Sequence, residues 1–356
     1  MRERLGERPT VFLHGGWRCA STYVWSRFRE VPSTVCFFEP FDERLAHCTP
    51  KRIRRDTAAS WDSRHPRLRA PYRQEYLPLL RFGLQGVRGY RERFALGRYF
   101  PPQGGLPEKR YLARLLRYAR AGGKQAVLGF SRSLGRAAAL KEAMGGYHIV
   151  VRRRPLQQWL SFRSYRERLP LQYFELCHFL ALALAPPGSP AARFGCELGL
   201  PRPRRLIGGL QRQLRSLHAA IHPWSDELSY RAFMAVSLLA HSAAAPAADL
   251  MLDVDRLGRS AAYRESVRAK ISADTGLEID FSDCRPPNHD AAAVAVNFAA
   301  VEEEVRERLD ELGAELDASV LPAGARAAEA ARRLPPRRPA RARVTPISDI
   351  GSPDSV

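Results

Sequence analysis

The stretch from Thr10 to Glu30 constrains the fold of this chain more than any other, and it reads TVFLHGGWRCASTYVWSRFRE. Its apolar start, VFL, has the length and composition of a buried strand. Gly15 and Gly16 then interrupt the strand, and Ser21 opens a segment with apolar residues at helical spacing. A strand, a tight turn and a helix start together bind phosphate, because backbone N–H groups converge in the turn and the helix dipole favours an anion. The sequence therefore predicts a phosphate-binding loop.

This loop matches a Walker A motif only in outline. Counted from Gly15, the motif positions Gly-Lys-Ser/Thr are occupied by Ala20, Ser21 and Thr22. The lysine that would reach the outer phosphates of ATP is missing, and the basic residue, Arg18, lies earlier in the turn. A P-loop kinase or other NTPase is the alternative enzyme class, and it would need that lysine. A structural turn that binds nothing is the other alternative for the loop taken alone.

The balance of charged residues constrains the ligand. The chain has 356 residues, 45% of them apolar, which suffices for one large α/β domain or two smaller ones. Its net charge of +20, carried almost entirely by arginine, attracts anions, and arginine binds phosphate and sulfate in bidentate fashion. The arginines are scattered, and RNA-binding and zinc-finger patterns are missing. We therefore expect an anionic small molecule and no nucleic acid as partner; a basic module that binds anionic polymers is the non-enzymatic alternative.

Cysteine use and hydropathy favour a cytoplasmic, soluble protein. Six cysteines occur without CxxC pairs, as expected for reduced thiols in a chain too large to need disulfide bonds. The charged stretch from Met1 to Pro9 does not resemble a secretory signal, and the most apolar window, 174–187, has the length of a core helix. No membrane span and no metal site are expected.

Strands and helices alternate along the chain. Apolar runs predict further strands at 34–39, 126–130, 147–151 and within 249–257. Periodic segments predict helices at 107–122, 137–144, 155–169, 204–245, 263–275 and 301–316. This alternation predicts an α/β, P-loop-like three-layer fold whose mainly parallel central sheet is flanked by helices. Ligands bind such sheets at the carboxyl ends of strands, where Arg18, Glu39 and Arg153 follow their strands.

We expect a single domain over residues 1–321. Residues 47–106 and 185–210 are predicted insertions on the substrate side; the first consists of short helices and loops, and the second is a surface loop rich in proline and glycine. Residues 322–356 are rich in alanine, arginine and proline, which predicts a disordered tail.

A second anion site is predicted in the run GGYHIVVRRRPLQQWLSFRSYR, residues 145–166. A strand delivers three arginines, 152–154, at its carboxyl end, and Pro155 starts a helix that turns back over the sheet. Ser161 lies on the inner face of that helix, where it can approach the same phosphate as a strand-end arginine. Three consecutive arginines repel one another unless an anion or a carboxylate neutralises them; a solvated basic corner is the alternative.

Together the two sites resemble the signature of sulfotransferases that use 3′-phosphoadenosine-5′-phosphosulfate, in particular the bacterial carbohydrate-modifying branch. In that family the 5′-phosphosulfate loop reads as a basic residue, two small residues, Ser/Thr-Thr and an aromatic, which residues 18–23 match. The family's 3′-phosphate site is a strand-end Arg, then x-Pro, then a Ser, and Arg153, Pro155 and Ser161 fit that register. The resemblance covers residues 10 to about 166 and, more loosely, the late strand DLMLDVDRL at 249–257.

Two residues depart from the family pattern. Ala20 replaces the usual glycine, which requires an ordinary φ there or a slightly altered loop. Arg154 replaces the usual Asp or Asn, so the local charge is more positive than in the family.

The resemblance implies a role for each matching residue. Arg18 would neutralise charge on the departing 5′-phosphate, and Arg153 with Ser161 would bind the 3′-phosphate and so select this cofactor over ATP. The 5′-phosphate and adenine would be held by the loop residues that follow Arg18, namely Cys19, Ala20, Ser21, Thr22 and Tyr23. The implied reaction moves a sulfuryl group to a hydroxyl of a carbohydrate or small-molecule acceptor, leaves 3′,5′-adenosine bisphosphate and needs no metal.

The acceptor hydroxyl needs a general base. Glu39 is the first candidate, because it ends the second strand next to the phosphate loop and its apolar neighbours would raise its pKa. Its alternative role is an ion pair with Arg18 or Arg132. His14 is the reserve base, or else it orients the loop. Arg132 and Arg136 are expected to line the acceptor or sulfonyl side, unless they lie at the surface.

Overall fold

A computed structural model gives the fold of the protein. It describes residues 8–57, 66–83, 85–101, 105–166, 172–201, 208–291 and 294–318. The predicted disordered tail at 322–356 lies outside the described residues.

The centre of the molecule is a five-stranded parallel sheet. Its strands are β1 (Val11–His14), β2 (Thr34–Phe38), β3 (Gln125–Phe130), β4 (Tyr147–Arg152) and β5 (Leu250–Asp253). They lie in the order β2-β3-β1-β4-β5, and every neighbouring pair is parallel. The predicted α/β class with a parallel central sheet is therefore confirmed.

Helices flank the sheet on both faces. Their bounds are α1 (Ser21–Arg29), α2 (Pro50–Arg54), α3 (Lys109–Ala121), α4 (Ala137–Met144), α5 (Pro155–Arg163), α6 (Tyr173–Ala183), α7 (Pro190–Glu197), α8 (Leu210–Ile221), α9 (Asp226–Ala244), α10 (Val254–Arg259), α11 (Ala261–Thr275) and α12 (Phe298–Glu311). Side chains of α1 and α11 share one core with the sheet, and those of α3 and α4 share another. A third core joins α5 to α9 and α12.

The central strand shows why both faces are covered. Val11 and Leu13 of β1 pack into the core under α1, whereas Phe12 belongs to the core under α3. Successive side chains of a strand point to opposite faces, and all three are fully buried. An apolar run without polar alternation therefore forms a strand that needs a helix layer on each side.

The region around 185–203 differs from its prediction as a loop, since α7 lies within it. Ser189 caps this helix by accepting a hydrogen bond from the Ala192 N–H at 3.2 Å, and Pro190 occupies the first turn. Ala191 and Phe194 bury its apolar side. The N-cap and first-turn signals therefore outweigh the surrounding glycines and prolines. The helix predicted at 204–245 is also two helices, because the chain breaks between α8 and α9 and Ser225 caps the second.

Arg136 anchors the first insertion to the sheet and does not line a ligand site, contrary to the prediction. Its guanidinium is buried, bonds Glu108 Oε1 at 2.8 Å, and donates to the carbonyl oxygens of Phe94 and Ala95 at 2.9 and 2.6 Å. Burial lowers the pKa of Arg136 to about 10, and the carboxylate of Glu108 opposes that shift.

Replacement of Glu108 by alanine is expected to destabilise the protein by about 3–5 kcal/mol, because it leaves the buried Arg136 charge without its counter-ion. Urea unfolding followed by circular dichroism measures the change. Arg117→Ala, on the exposed side of α3, is the control and should change the free energy of unfolding by less than about 0.5 kcal/mol. A loss below about 1 kcal/mol for Glu108→Ala would show that the ion pair is unimportant.

Candidate functional site

The carboxyl ends of β1 and β4 form a crevice at a switch point of the sheet. From β1 the chain crosses to β2 on one side, and from β4 it continues to β5 on the other side. Ligands of open α/β sheets bind at such points. The loop after β1 and the start of α5 after β4 both lie here, so the two predicted anion sites are brought together.

The loop after β1 wraps tightly around its two glycines. A Cβ on Gly15 would lie 2.7 Å from Cys19 Sγ, and one on Gly16 would lie 2.6 Å from Gln158 Nε2. Gln158 also donates to the Trp17 carbonyl oxygen at 2.8 Å, which ties the loop to α5. A larger residue at either position would displace these side chains, so the two glycines allow the loop to pack closely, and the Gln158 hydrogen bond holds it near the second site.

Two residues of the loop adopt a backbone conformation that L-residues rarely adopt. Arg18 has φ 65° and Ala20 has φ 67°. Ala20 therefore keeps the conformation expected for glycine, and the ordinary φ predicted as one option is not found. Each such residue costs about 1–2 kcal/mol, and strain of this kind persists where surrounding contacts impose it, often at functional sites.

Ala20 is also the N-cap of α1, and it makes no side-chain hydrogen bond to the helix. The first N–H groups of a helix have no partner within the helix. With an alanine cap in place of Ser, Thr, Asp or Asn, the positive end of α1 can face an anion in the loop.

The remaining loop residues differ in exposure. Cys19 is fully buried, and burial raises the pKa of its thiol, so it is not a reactive cysteine. Ser21 is buried beside Gly15, whereas Thr22 and Tyr23 are half-buried. The Tyr23 hydroxyl donates to Asp283 Oδ1 at 2.6 Å.

Arg18, Arg153 and Ser161 lie close together. Arg18 Nε donates to Ser161 Oγ at 3.3 Å, and Arg153 Nη1 donates to the Arg18 carbonyl oxygen at 3.3 Å. The Arg18 guanidinium also lies over the Tyr165 ring, 4.6 Å from its centroid. Arg153 and Ser161 are buried, so an anion between them would be shielded from water.

Carboxylates from β5 and α10 neutralise the three arginines. Arg152 Nε lies 3.6 Å from Asp253 Oδ2, and Arg153 Nε lies 3.9 Å from Asp255 Oδ1. The Arg154 backbone N–H donates to Asp255 at 2.7 Å. Burial lowers the pKa of Arg153, and Asp255 opposes the shift. These aspartates were missed in the sequence, although the motif DVD in the late strand carries them.

Arg153 retains one donor for a ligand. Its Nε is buried, and among the described residues no acceptor hydrogen-bonds to it. Its ion pair with Asp255 Oδ1 at 3.9 Å is too long for a hydrogen bond. A buried donor without a hydrogen bond is destabilising unless an acceptor binds it. This donor and the loop around Gly15 and Gly16 are therefore the groups at which an anion would bind.

Residues 281–289 form one wall of the site. Asp283 holds Tyr23 at the start of α1, and the Pro287 carbonyl oxygen accepts a hydrogen bond from Arg153 Nη2. Asn288 Oδ1 accepts from Arg154 at 3.1 Å. This segment thus connects the two halves of the site, and no sequence motif indicated it.

Glu39 lies at the end of β2, in a left-handed conformation with φ 50°. Its Oε2 accepts hydrogen bonds from the Ser131 N–H at 3.0 Å, the Ser131 hydroxyl at 2.8 Å and Arg132 Nη1 at 3.1 Å. Within the described residues, Oε1 accepts none. Burial raises the pKa of Glu39, and Arg132 opposes the shift. The predicted ion pair with Arg132 is present, yet one carboxylate oxygen is left for a ligand.

The predicted position of Glu39 next to the phosphate loop is wrong by one strand, since β3 lies between β2 and β1. The link between them is Arg132, whose guanidinium lies 5.9 Å from the ring centroid of the loop residue Trp17. Arg132 is buried and also bonds Glu43 Oε2 at 3.0 Å and the Tyr173 hydroxyl at 2.9 Å. It is an internal cation that holds Glu39 in place.

His14 is fully buried beneath the loop. Its Nδ1 lies 2.7 Å from Ser133 Oγ and its Nε2 lies 2.9 Å from His148 Nδ1. Burial and the neighbouring imidazole lower its pKa well below the usual value. Both ring nitrogens are engaged, so this placement favours the role of orienting the loop over that of a base.

The site therefore offers two arginines and a helix N-terminus for anions, and beyond β3 in the sheet a buried carboxylate for a proton. Among the described residues, no three His, Cys, Asp or Glu side chains gather closely enough to hold a metal ion. No described helix has the length and apolar character needed to cross a membrane. Comparisons with protein-family models, with curated proteins and with solved structures find no match for this chain.

Proposed function

We propose that the protein is a sulfotransferase that uses 3′-phosphoadenosine-5′-phosphosulfate and acts on a hydroxyl of a carbohydrate or small molecule. The observation that carries this proposal is the contact between the two anion sites. Arg153 donates to the carbonyl of Arg18, 135 residues earlier in the chain, and Arg18 reaches Ser161. A loop that binds only ATP has no need of a buried arginine and serine on a second strand and helix.

The residues present fit this nucleotide. The loop from Gly15 to Ala20 and the first turn of α1 would hold the 5′-phosphate. Arg153 Nε, which makes no hydrogen bond among the described residues, and the Ser161 hydroxyl would hold the 3′-phosphate, for which ATP has no counterpart. When bound, the nucleotide supplies the sulfuryl group.

The chain's own residues then serve the transfer. Glu39 accepts the proton of the acceptor hydroxyl through Oε1, while Ser131 and Arg132 hold Oε2. Arg18 stabilises the charge that develops on the departing 5′-phosphate, because its guanidinium is already positioned before the reaction. In this proposal Glu39 thus serves the acceptor hydroxyl and Arg18 serves the leaving group.

The first test measures nucleotide binding and does not require an acceptor or turnover. Bound 3′,5′-adenosine bisphosphate should raise the melting temperature more than AMP or Mg-ATP at equal concentration, because only it carries a 3′-phosphate. Charge-assisted hydrogen bonds contribute about 1.5–3 kcal/mol, so titration calorimetry should give an affinity ratio over AMP of about 10–100.

The preference for 3′,5′-adenosine bisphosphate over AMP should disappear in Arg153→Ala and persist in Arg154→Ala. The two arginines are adjacent, but the side chain of Arg154 is 54% exposed and that of Arg153 is 2% exposed. Equal responses to the bisphosphate and AMP in the wild type would contradict the 3′-phosphate site. A response to Mg-ATP alone would indicate an NTPase instead.

A further inference from the structure

The stretch from Gln74 to Ala121 is strongly basic. It contains ten arginine or lysine residues and only three glutamates. The glutamates are all engaged: Glu75 and Glu108 form ion pairs at 2.8 Å with arginines outside the stretch, and Glu92 accepts the Leu210 N–H at 2.8 Å. The carboxylates of the stretch therefore do little to offset its arginines at the surface.

Helix α3 presents part of this charge as a regular stripe. Its leucines, Leu112, Leu115 and Leu116, are buried against the sheet. Arg110, Arg114 and Arg117 follow one another at helical spacing on another side of the helix, where Arg110 and Arg117 are exposed and Arg114 is half-buried. Within the described part of the chain, none of these three arginines forms an ion pair.

A short hairpin beside α3 adds an apolar tip. Leu80 and Val87 pair in antiparallel fashion, and Phe82 between them is 95% exposed. Among the described residues, the other exposed large apolar side chain is Tyr118 on α3, which is only 38% exposed. Arg81 precedes the tip and Arg88 follows the hairpin, and both are exposed.

The hairpin and α3 lie against each other. The rings of Tyr90 and Tyr111 pack edge to face at 5.5 Å, and a Cβ on Gly89 would lie 3.6 Å from the guanidinium of Arg114. Arg81 Nη2 donates to the Tyr90 carbonyl oxygen at 3.3 Å. The hairpin and the helix stripe therefore form one surface, the basic face, made of Arg81, Phe82, Arg88, Arg110, Arg114 and Arg117.

We propose that the basic face binds the surface of an anionic lipid bilayer, with Phe82 inserted at the level of the headgroups. Arginines attract anionic headgroups, and an exposed aromatic side chain among them gains an apolar environment only if the partner has one. A bilayer offers both anionic charge and an apolar layer. A soluble polyanion offers the charge alone and would leave Phe82 in water.

The test is binding of the full-length protein to vesicles, measured by co-sedimentation. Binding is expected to vesicles of phosphatidylcholine mixed with phosphatidylglycerol and not to phosphatidylcholine alone, and it should weaken with salt. The charge reversal Arg110→Glu/Arg117→Glu should lower the affinity at least about tenfold. Phe82→Ala should lower it about fivefold or more at unchanged net charge.

A matched control lies on α11, which packs on the opposite face of the sheet from α3. Arg268→Glu/Lys270→Glu changes the net charge by the same amount, at exposed positions, and should retain vesicle binding. Circular dichroism and the thermal response to 3′,5′-adenosine bisphosphate should match the wild type in all variants, which separates this proposal from the proposed enzymatic function.

Three outcomes would overturn the proposal. Equal loss of binding in the α11 control would show that net charge alone is responsible. Full retention in Phe82→Ala, with equal binding to heparin, would identify a general polyanion site. Equal binding to vesicles with and without phosphatidylglycerol would show that the arginines do not contribute to binding.

Discussion

Replacement of Glu39 by glutamine is expected to lower kcat by a factor of about 10²–10⁴ and to leave the affinity for 3′,5′-adenosine bisphosphate unchanged. Glutamine has nearly the same shape, and its amide oxygen can still accept the two hydrogen bonds from Ser131. It cannot take a proton from the acceptor. The variant therefore removes the base and little else, and sulfate transfer to a panel of hydroxylated acceptors, followed by mass spectrometry, measures the loss.

The pH profile gives an independent check on the same residue. Burial raises the pKa of Glu39 above the ordinary glutamate value of about 4.3. Protonated Glu39 cannot act as a base, so kcat should fall as the pH decreases through this raised pKa. The residual kcat of Glu39→Gln should not show this decrease at low pH.

Glu43→Gln is the matched control for Glu39→Gln. Glu43 bonds the same guanidinium, that of Arg132, at 3.0 Å, but it also accepts the Tyr173 hydroxyl at 2.7 Å and is engaged through both oxygens. Its replacement should reduce kcat much less. Full activity of Glu39→Gln, or equal losses in both variants, would show that Glu39 is not the base.

Replacement of Arg18 by alanine is expected to lower kcat by a factor of about 10²–10³, the effect of removing one preorganised group that stabilises transition-state charge. Alanine suits this test because a backbone φ of 65° is about as unfavourable for alanine as for arginine. The substitution therefore removes the guanidinium without changing the backbone strain at this position. The backbone carbonyl that accepts from Arg153 is also kept. The binding of 3′,5′-adenosine bisphosphate should therefore weaken far less than turnover.

Tyr165→Phe provides the control for Arg18. It removes the hydroxyl that accepts from Arg18 at 3.2 Å and keeps the ring under the guanidinium. We expect only a small decrease in kcat. If Arg18→Ala raises KM and leaves kcat unchanged, Arg18 contributes to ground-state binding and has no special role in the transition state.

The local elements of the site could be predicted from contiguous residues. The apolar run of β1, the two glycines and the start of α1 were confirmed within a residue or two, because each depends on local periodicity and on turn chemistry. The strand before Arg153 was confirmed for the same reason. The helix that carries Ser161 begins at Pro155 as predicted but ends at Arg163, six residues before the predicted end. The sequence also indicated that both follow the carboxyl ends of parallel strands.

Similar arginines after β3 could not be told apart from the sequence. Arg132 lies among carboxylates beside Glu39, whereas Arg136, one turn later, is buried against Glu108 at the start of α3. Their partners come from segments tens of residues away, so only packing assigns them. The two aspartates that neutralise the strand-end arginines likewise arrive from β5 and α10.

The sequence by itself predicted a loop of the phosphate-binding type without the Walker lysine, and placed Arg153 and Ser161 at the end of a later strand and on the helix that follows it. The tertiary structure alone decided that β3 separates Glu39 from the loop, that His14 is engaged at both nitrogens, and that Ala20 takes a conformation suited to glycine. The physical reason is that local motifs depend on neighbouring residues. Strand order, buried ion pairs and imposed φ angles depend on which distant segments pack together.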